Sequence, residues 1–152
     1  MSQRLTFAVN ARPLLSPITG IGRYLLGLMR EVERSDGFSP DYFYSTHWSR
    51  DLRQAGGGLT SPSLVRAIRS LRPLGPVVRA IQRRNFAAGL RNRDFAFYFE
   101  PCYLPFETAL PTVITIHDLS HLRHPETHPA ARVRQLERGL PSAIERAGCI
   151  LT

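Results

Sequence analysis

The sequence predicts an α/β fold, a Rossmann-like, doubly wound and mainly parallel sheet with helices on both faces. Short apolar runs without strict polar alternation recur along the chain, as strands buried on both faces require. Segments with three- and four-residue apolar spacing separate them, and strands separated by helices build βαβ units. With 152 residues, 43% hydrophobic and 21% charged, the chain has the length and composition of one compact domain (1–152) that needs no disulfide or metal for stability.

Residues 5–9 form the first apolar run. After a loop, Ile21, Tyr24, Leu25, Leu28, Met29 and Val32 mark an amphipathic helix that stops near Ser35-Asp36-Gly37. Residues 41–46 read as a second strand and Gln54-Ala55-Gly56-Gly57-Gly58 as a loop. Two helices are expected within 63–91, divided by Pro73-Leu74-Gly75-Pro76, with Leu64, Ile68, Leu71, Val77, Val78 and Ile81 as their apolar members. Residues 95–99 and 112–116 give a third and a fourth strand, and 149–152 open a fifth. The intervening helix has Pro129 in its first turn and Val133, Leu136, Leu140 and Ile144 on one face. Pro141 is expected to kink it, because it removes the amide that would bond the carbonyl of Glu137. A chain stopping inside an apolar strand is expected to be part of a longer protein.

All 20 basic residues are arginine, which excludes Schiff-base and Walker-type lysine chemistry within the chain. The formal charge of +8 is concentrated. Residues 50–93 hold ten arginines and one acid, and the rest of the chain ten arginines and eleven acids. No signal-peptide pattern and no apolar stretch near membrane-spanning length occur. With Cys102 and Cys149 far apart, these features predict a reduced, cytoplasmic protein.

In a doubly wound sheet, ligands bind beyond the carboxyl ends of the strands. After the first strand, Thr19-Gly20-Ile21-Gly22-Arg23 opens a helix. Its glycines permit close backbone approach and its free amides favour an anion. The third glycine of a dinucleotide fingerprint is missing, so a packing role is as well supported. After the fourth strand comes His117-Asp118, and His121, His124 and His128 follow. His117 ends an apolar strand and so points into the crevice, whereas the other three read as solvated loop histidines that cap or pack. Asp118 reads as a loop brace through backbone amides. The spacings match neither a helical His-Glu-x-x-His element nor a Cys/His finger, so no metal is expected. After the third strand, Glu100 stands at the mouth of a rigid turn, as a ligand-hydroxyl acceptor or an arginine partner.

These loops carry a resemblance. Val9-Asn10-Ala11-Arg12-Pro13-Leu14, residues 19–24, Glu100-Pro101 with Leu104-Pro105, residues 115–120, Arg123-His124-Pro125, Glu137-Arg138 and residues 147–152 together resemble the N-terminal half of group 1 (family 4) retaining glycosyltransferases, above all mannosyltransferase-like members. The resemblance implies one half of a two-domain GT-B enzyme. This half would hold a saccharide or lipid-linked acceptor, and an absent C-terminal domain the nucleotide-sugar. It implies no cofactor and no metal beyond that donor substrate. Gly20, Ile21 and Gly22 would approach the donor diphosphate and His117 would face the transferred sugar as the catalytic position. Arg12, Arg23, Glu100 and Asp118 would be acceptor or phosphate contacts. The basic pair that stabilises the leaving diphosphate would lie in the other half, so this domain alone is expected to be inactive.

Residues 50–93 carry none of these motifs and read as an arginine-rich helical insert. An ordinary solvated helix face is one account. An anionic membrane surface is another, met by Arg66, Arg69, Arg72, Arg79, Arg83 and Arg84, with the chain peripheral on the cytoplasmic face of the inner membrane. Nucleic acid is the least supported, because no binding module accompanies the arginines. A non-catalytic basic module binding anionic lipid or nucleic acid is the alternative to the transferase.

Overall fold

The computed structural model describes residues 4–15, 19–53 and 75–152. Among the described residues, six strands form one sheet in the order β3-β2-β1-β4-β5-β6: β1 (Leu5–Asn10), β2 (Phe38–Phe43), β3 (Trp48–Ser49), β4 (Tyr98–Glu100), β5 (Thr112–Thr115) and β6 (Cys149–Leu151). Every pairing is parallel except β2 with β3. The helices are α1 (Gly20–Arg34), α2 (Gly75–Arg91), the single-turn α3 (Ser120–Arg123) and α4 (Ala130–Arg146). The fold is thus α/β and Rossmann-like.

Alternation along the strands builds two cores. Phe7 and Val9 of β1, Tyr42 of β2 and Phe99 of β4 pack with Leu25, Leu26 and Met29 of α1. Their neighbours Ala8, Phe43 and Tyr98 turn to the opposite face, against Phe86 of α2. Farther along, Leu136 and Leu140 of α4 pack on Tyr103.

Several elements differ from the sequence expectation. β2 begins at Phe38 rather than residue 41 and includes Pro40. Because β3 pairs only with Tyr42 and Phe43, β2 is an edge at Pro40, where a missing amide is tolerated. The strand then breaks at Ser45, whose φ of 68° turns the chain back into β3. β4 starts at Tyr98, three residues after the expected 95. Gly75 and Pro76, read as a separator, open α2 instead, an accepted place for proline. Of the expected apolar members of α2, Val77, Val78 and Ile81 are about half exposed, while Gln82 and Phe86 are buried. Gln82 is accommodated by donating to Ser45 Oγ at 3.2 Å. α4 continues through Pro141 to Arg146, and Ala143 rather than Ile144 completes its buried face. The expected helix with Leu64, Ile68 and Leu71 lies outside the described residues.

Candidate functional site

The strand order reverses between β1 and β4, which puts the topological crevice at their carboxyl ends. Asn10 closes β1 and Glu100 closes β4, and both side chains are buried. Glu100 Oε2 accepts from Asn10 Nδ2 at 2.7 Å and from the Tyr98 hydroxyl at 2.7 Å. Its Oε1 accepts from the Cys102 amide at 3.0 Å. Burial pushes the Glu100 carboxyl up to about 7. The three donors and the charge of Arg12 oppose the shift without cancelling it. Glu100 therefore braces two strand ends from inside, and among the described residues it forms no ion pair with an arginine.

His117 follows β5 and is exposed. Its Nε2 lies 2.8 Å from the Pro101 carbonyl. A carbonyl only accepts, so Nε2 carries the proton and donates, which leaves Nδ1 as an acceptor in the neutral ring. Tyr24 of α1 meets the imidazole edge to face at 5.0 Å between centroids, and its hydroxyl is 3.2 Å from Thr115 Oγ1. Tyr24 lies one helical turn after Gly20, so the opening turn of α1 adjoins His117. Thr19 caps that turn by accepting from the Gly22 amide at 3.2 Å. A Cβ built on Gly20 meets no atom within 4 Å, so the space beside this backbone is open to an approaching group.

Tyr103 organises the loop opposite. Its φ of 53° is left-handed, an uncommon state for a tyrosine that surrounding contacts must hold. Its amide donates to the Thr115 carbonyl at 3.0 Å and its hydroxyl to the Asp118 carbonyl at 3.2 Å. The Arg132 guanidinium lies 5.7 Å from its ring centroid. Asp118 Oδ1 accepts from the Ser120 hydroxyl at 2.6 Å and the Ser120 amide at 2.8 Å. These bonds hold its carboxyl below the ordinary range. His128 Nε2 sits 2.8 Å from Ser120 Oγ. His124 pairs weakly with Glu126 at 3.5 Å on the surface. His121 differs from its expected solvated state: it is buried, edge on to Tyr103, with Nδ1 unpartnered among the described residues. No group of three or more His, Cys, Asp and Glu side chains placed to hold a metal occurs among the described residues.

The structure thus brings together His117, Asp118 and the Gly20, Ile21 and Gly22 turn, with Glu100 beneath them in the sheet. Arg12 and Arg23 are exposed at the same end. Sequence reasoning includes Tyr24 in the motif of residues 19–24 and in the helix stripe but gives it no role at the site, and it misses Tyr103, whose backbone state has no sequence signal. The arginine-rich segment resolves into separate roles. Arg50 and Arg93 pair with the buried Asp41 at 3.4 and 3.1 Å, and Arg53 pairs with Asp51. Arg79 and Arg83 line a groove, whereas Arg84 is simply exposed. Arg66, Arg69 and Arg72 lie outside the described residues. No helix among the described residues is long and apolar enough to cross a membrane.

Over 98% of its length the chain is 31% identical, across 156 aligned residues, to the O-antigen chain mannosyltransferase B of Escherichia coli. It spans 40% of that protein. No family model and no solved structure matches the chain. The likeness supports a glycosyltransferase-like protein.

Proposed function

We propose that the chain is the acceptor-side half of a retaining GT-B glycosyltransferase of group 1 (family 4), which moves a mannose-like hexose from a nucleotide-sugar to a glycan or lipid-linked acceptor. The observation that carries the proposal is the identity of 31% with a mannosyltransferase along 98% of the chain. The arrangement around His117 supports it. With Nε2 committed to the Pro101 carbonyl, the ring is held in one orientation and Nδ1 is available to a hydroxyl of the transferred sugar. The open backbone at Gly20 suits close approach of the donor diphosphate, and the free amides of the first turn favour its charge. The groups that stabilise the departing diphosphate belong in this reading to a second half, so residues 1–152 alone are expected to bind acceptor without transferring sugar. Transfer needs no metal in this reading and survives EDTA. An acceptor on a lipid carrier would place the enzyme at the cytoplasmic face of the inner membrane.

The test is to express the full reading frame that contains this chain and assay transfer from nucleotide-activated mannose to mannose-terminated acceptors. His117→Ala is expected to lower turnover by about a hundredfold or more with an unchanged circular dichroism spectrum. A frame without a second βα domain, or no transfer from any nucleotide-hexose, overturns the proposal. Turnover unchanged in His117→Ala removes this residue from the site.

A further inference from the structure

A groove of about 540 Å³ lies between α2 and α4, away from His117 and on the opposite face of the sheet from α1. The turn after β4 forms its floor through Leu104, Pro105 and Phe106. Its volume lies within the range of small-ligand pockets. Six arginines line it, Arg12 from the loop after β1, Arg79 and Arg83 from α2, and Arg134, Arg138 and Arg146 from α4. Among the described residues, Glu107 is the single acid on its wall. Three separate segments thus direct guanidinium groups into one space.

None of the six takes part in an ion pair among the described residues, and residues 54–74, next to α2 in sequence, contain no Asp or Glu. Arg50 and Arg93, outside α2, are instead both engaged by Asp41, while Arg84 and Arg91 of α2 are exposed outside the groove. Six like charges facing one cavity repel each other, a repulsion that a bound polyanion removes. The planar fork of arginine matches the oxygens of phosphate and can engage them two at a time. Gln135 adds a neutral donor to the wall. The volume exceeds what one phosphate fills, and charge on two facing helices suits adjacent phosphoryl groups.

We propose that the groove between α2 and α4 is a binding site for a diphosphate group, held by Arg79 and Arg83 on one side and by Arg134 and Arg138 on the other. The site is defined by charge and shape on a lining that does not include His117, and Arg12 is the residue it shares with the crevice. The diphosphate is carried either by a soluble ester or by a lipid headgroup.

The test is isothermal titration of the 152-residue chain with inorganic pyrophosphate, at constant ionic strength, beside Arg134→Ala/Arg138→Ala and Arg79→Ala/Arg83→Ala. Saturable binding is expected in the parent, weakened about tenfold or more for each arginine removed, with unchanged circular dichroism in the variants. Arg84→Ala, which removes an exposed charge of α2 outside the groove, serves as the control and is expected to bind as the parent does. Absence of saturable binding, or equal affinity in parent and both double variants, overturns the proposal. Should a double variant fail to fold, Arg134→Gln and Arg79→Gln singly replace it under the same criterion. Competition by phosphatidylcholine vesicles carrying diacylglycerol pyrophosphate identifies a headgroup as the source, and failure to compete identifies a soluble diphosphate. Both outcomes sustain the groove as the site.

Discussion

Replacing Glu100 by glutamine tests the buried network at the crevice through its dependence on pH. The folded carboxyl titrates at about 7 against an ordinary 4.5, so between these values the folded chain keeps a proton that the unfolded chain has released. Stability must then fall as pH rises through this window, because the native state binds more protons than the unfolded state. At 1.36 kcal/mol per pKa unit, the full effect is about 3 kcal/mol, most of which develops between pH 5 and pH 8. Glutamine has nearly the same shape and does not titrate in this range. Its carbonyl still accepts from part of the donor set of Asn10, Tyr98 and the Cys102 amide, while its amide faces the remainder at a pH-independent cost. Urea unfolding of both proteins at pH 5, 6, 7 and 8, taken as a difference, cancels the other titrating groups. With a slope near 2 kcal/mol/M, the parent midpoint is expected to drop by about 1 M relative to Glu100→Gln across this range. Parallel pH profiles for the two proteins would refute the reasoning, as would a gap that moves in the opposite sense.

Three further outcomes follow from local geometry. Gly89→Ala is expected to lose about 1–3 kcal/mol in a thermal melt, because a Cβ at this buried position runs into the Trp48 indole and core overpacking costs this much. Thr19→Ala removes the acceptor for the Gly22 amide and is expected to cost about 1 kcal/mol by urea titration, the usual value of an N-cap. Arg93→Ala leaves the buried Asp41 with only the longer contact to Arg50 and uncovers one face of Trp48. Since Arg93 is itself about one-third exposed, the expected loss is about 1–3 kcal/mol, and addition of salt should narrow the difference.

Elements that bury a continuous apolar stripe are legible from the sequence. The residues at 5–9 and the α1 stripe through Leu25 and Met29 carry their burial in their composition. The start of β2 reads too late because Pro40 argues against a strand until one knows that it sits where β2 has no partner on one side. α2 inverts the usual rule: Val77, Val78 and Ile81 face solvent, while Gln82 turns inward because Ser45, 37 residues away, accepts its hydrogen bond. The place of His117, beyond an apolar strand in a parallel sheet, follows from pattern and topology. Its surroundings do not, because Tyr24, Pro101 and Tyr103 reach it only through the packing of three separate segments. The arginine groove shows the same limit. Counting charge along the chain locates residues 50–93, but half of the groove comes from Arg134, Arg138 and Arg146, which balance acids elsewhere in that count.

Trp48 is the one tryptophan in the chain, and its surroundings make it an optical gauge. It stacks on Phe86 of α2 and on Phe95, at 5.5 Å in both cases, with the Arg93 guanidinium 5.1 Å from its ring. Its emission therefore reports whether α2 is seated on the sheet, without any label. Because α2 also carries Arg79 and Arg83, the wavelength of that emission during a titration separates a ligand that fills the groove with α2 in place from one that lifts the helix away.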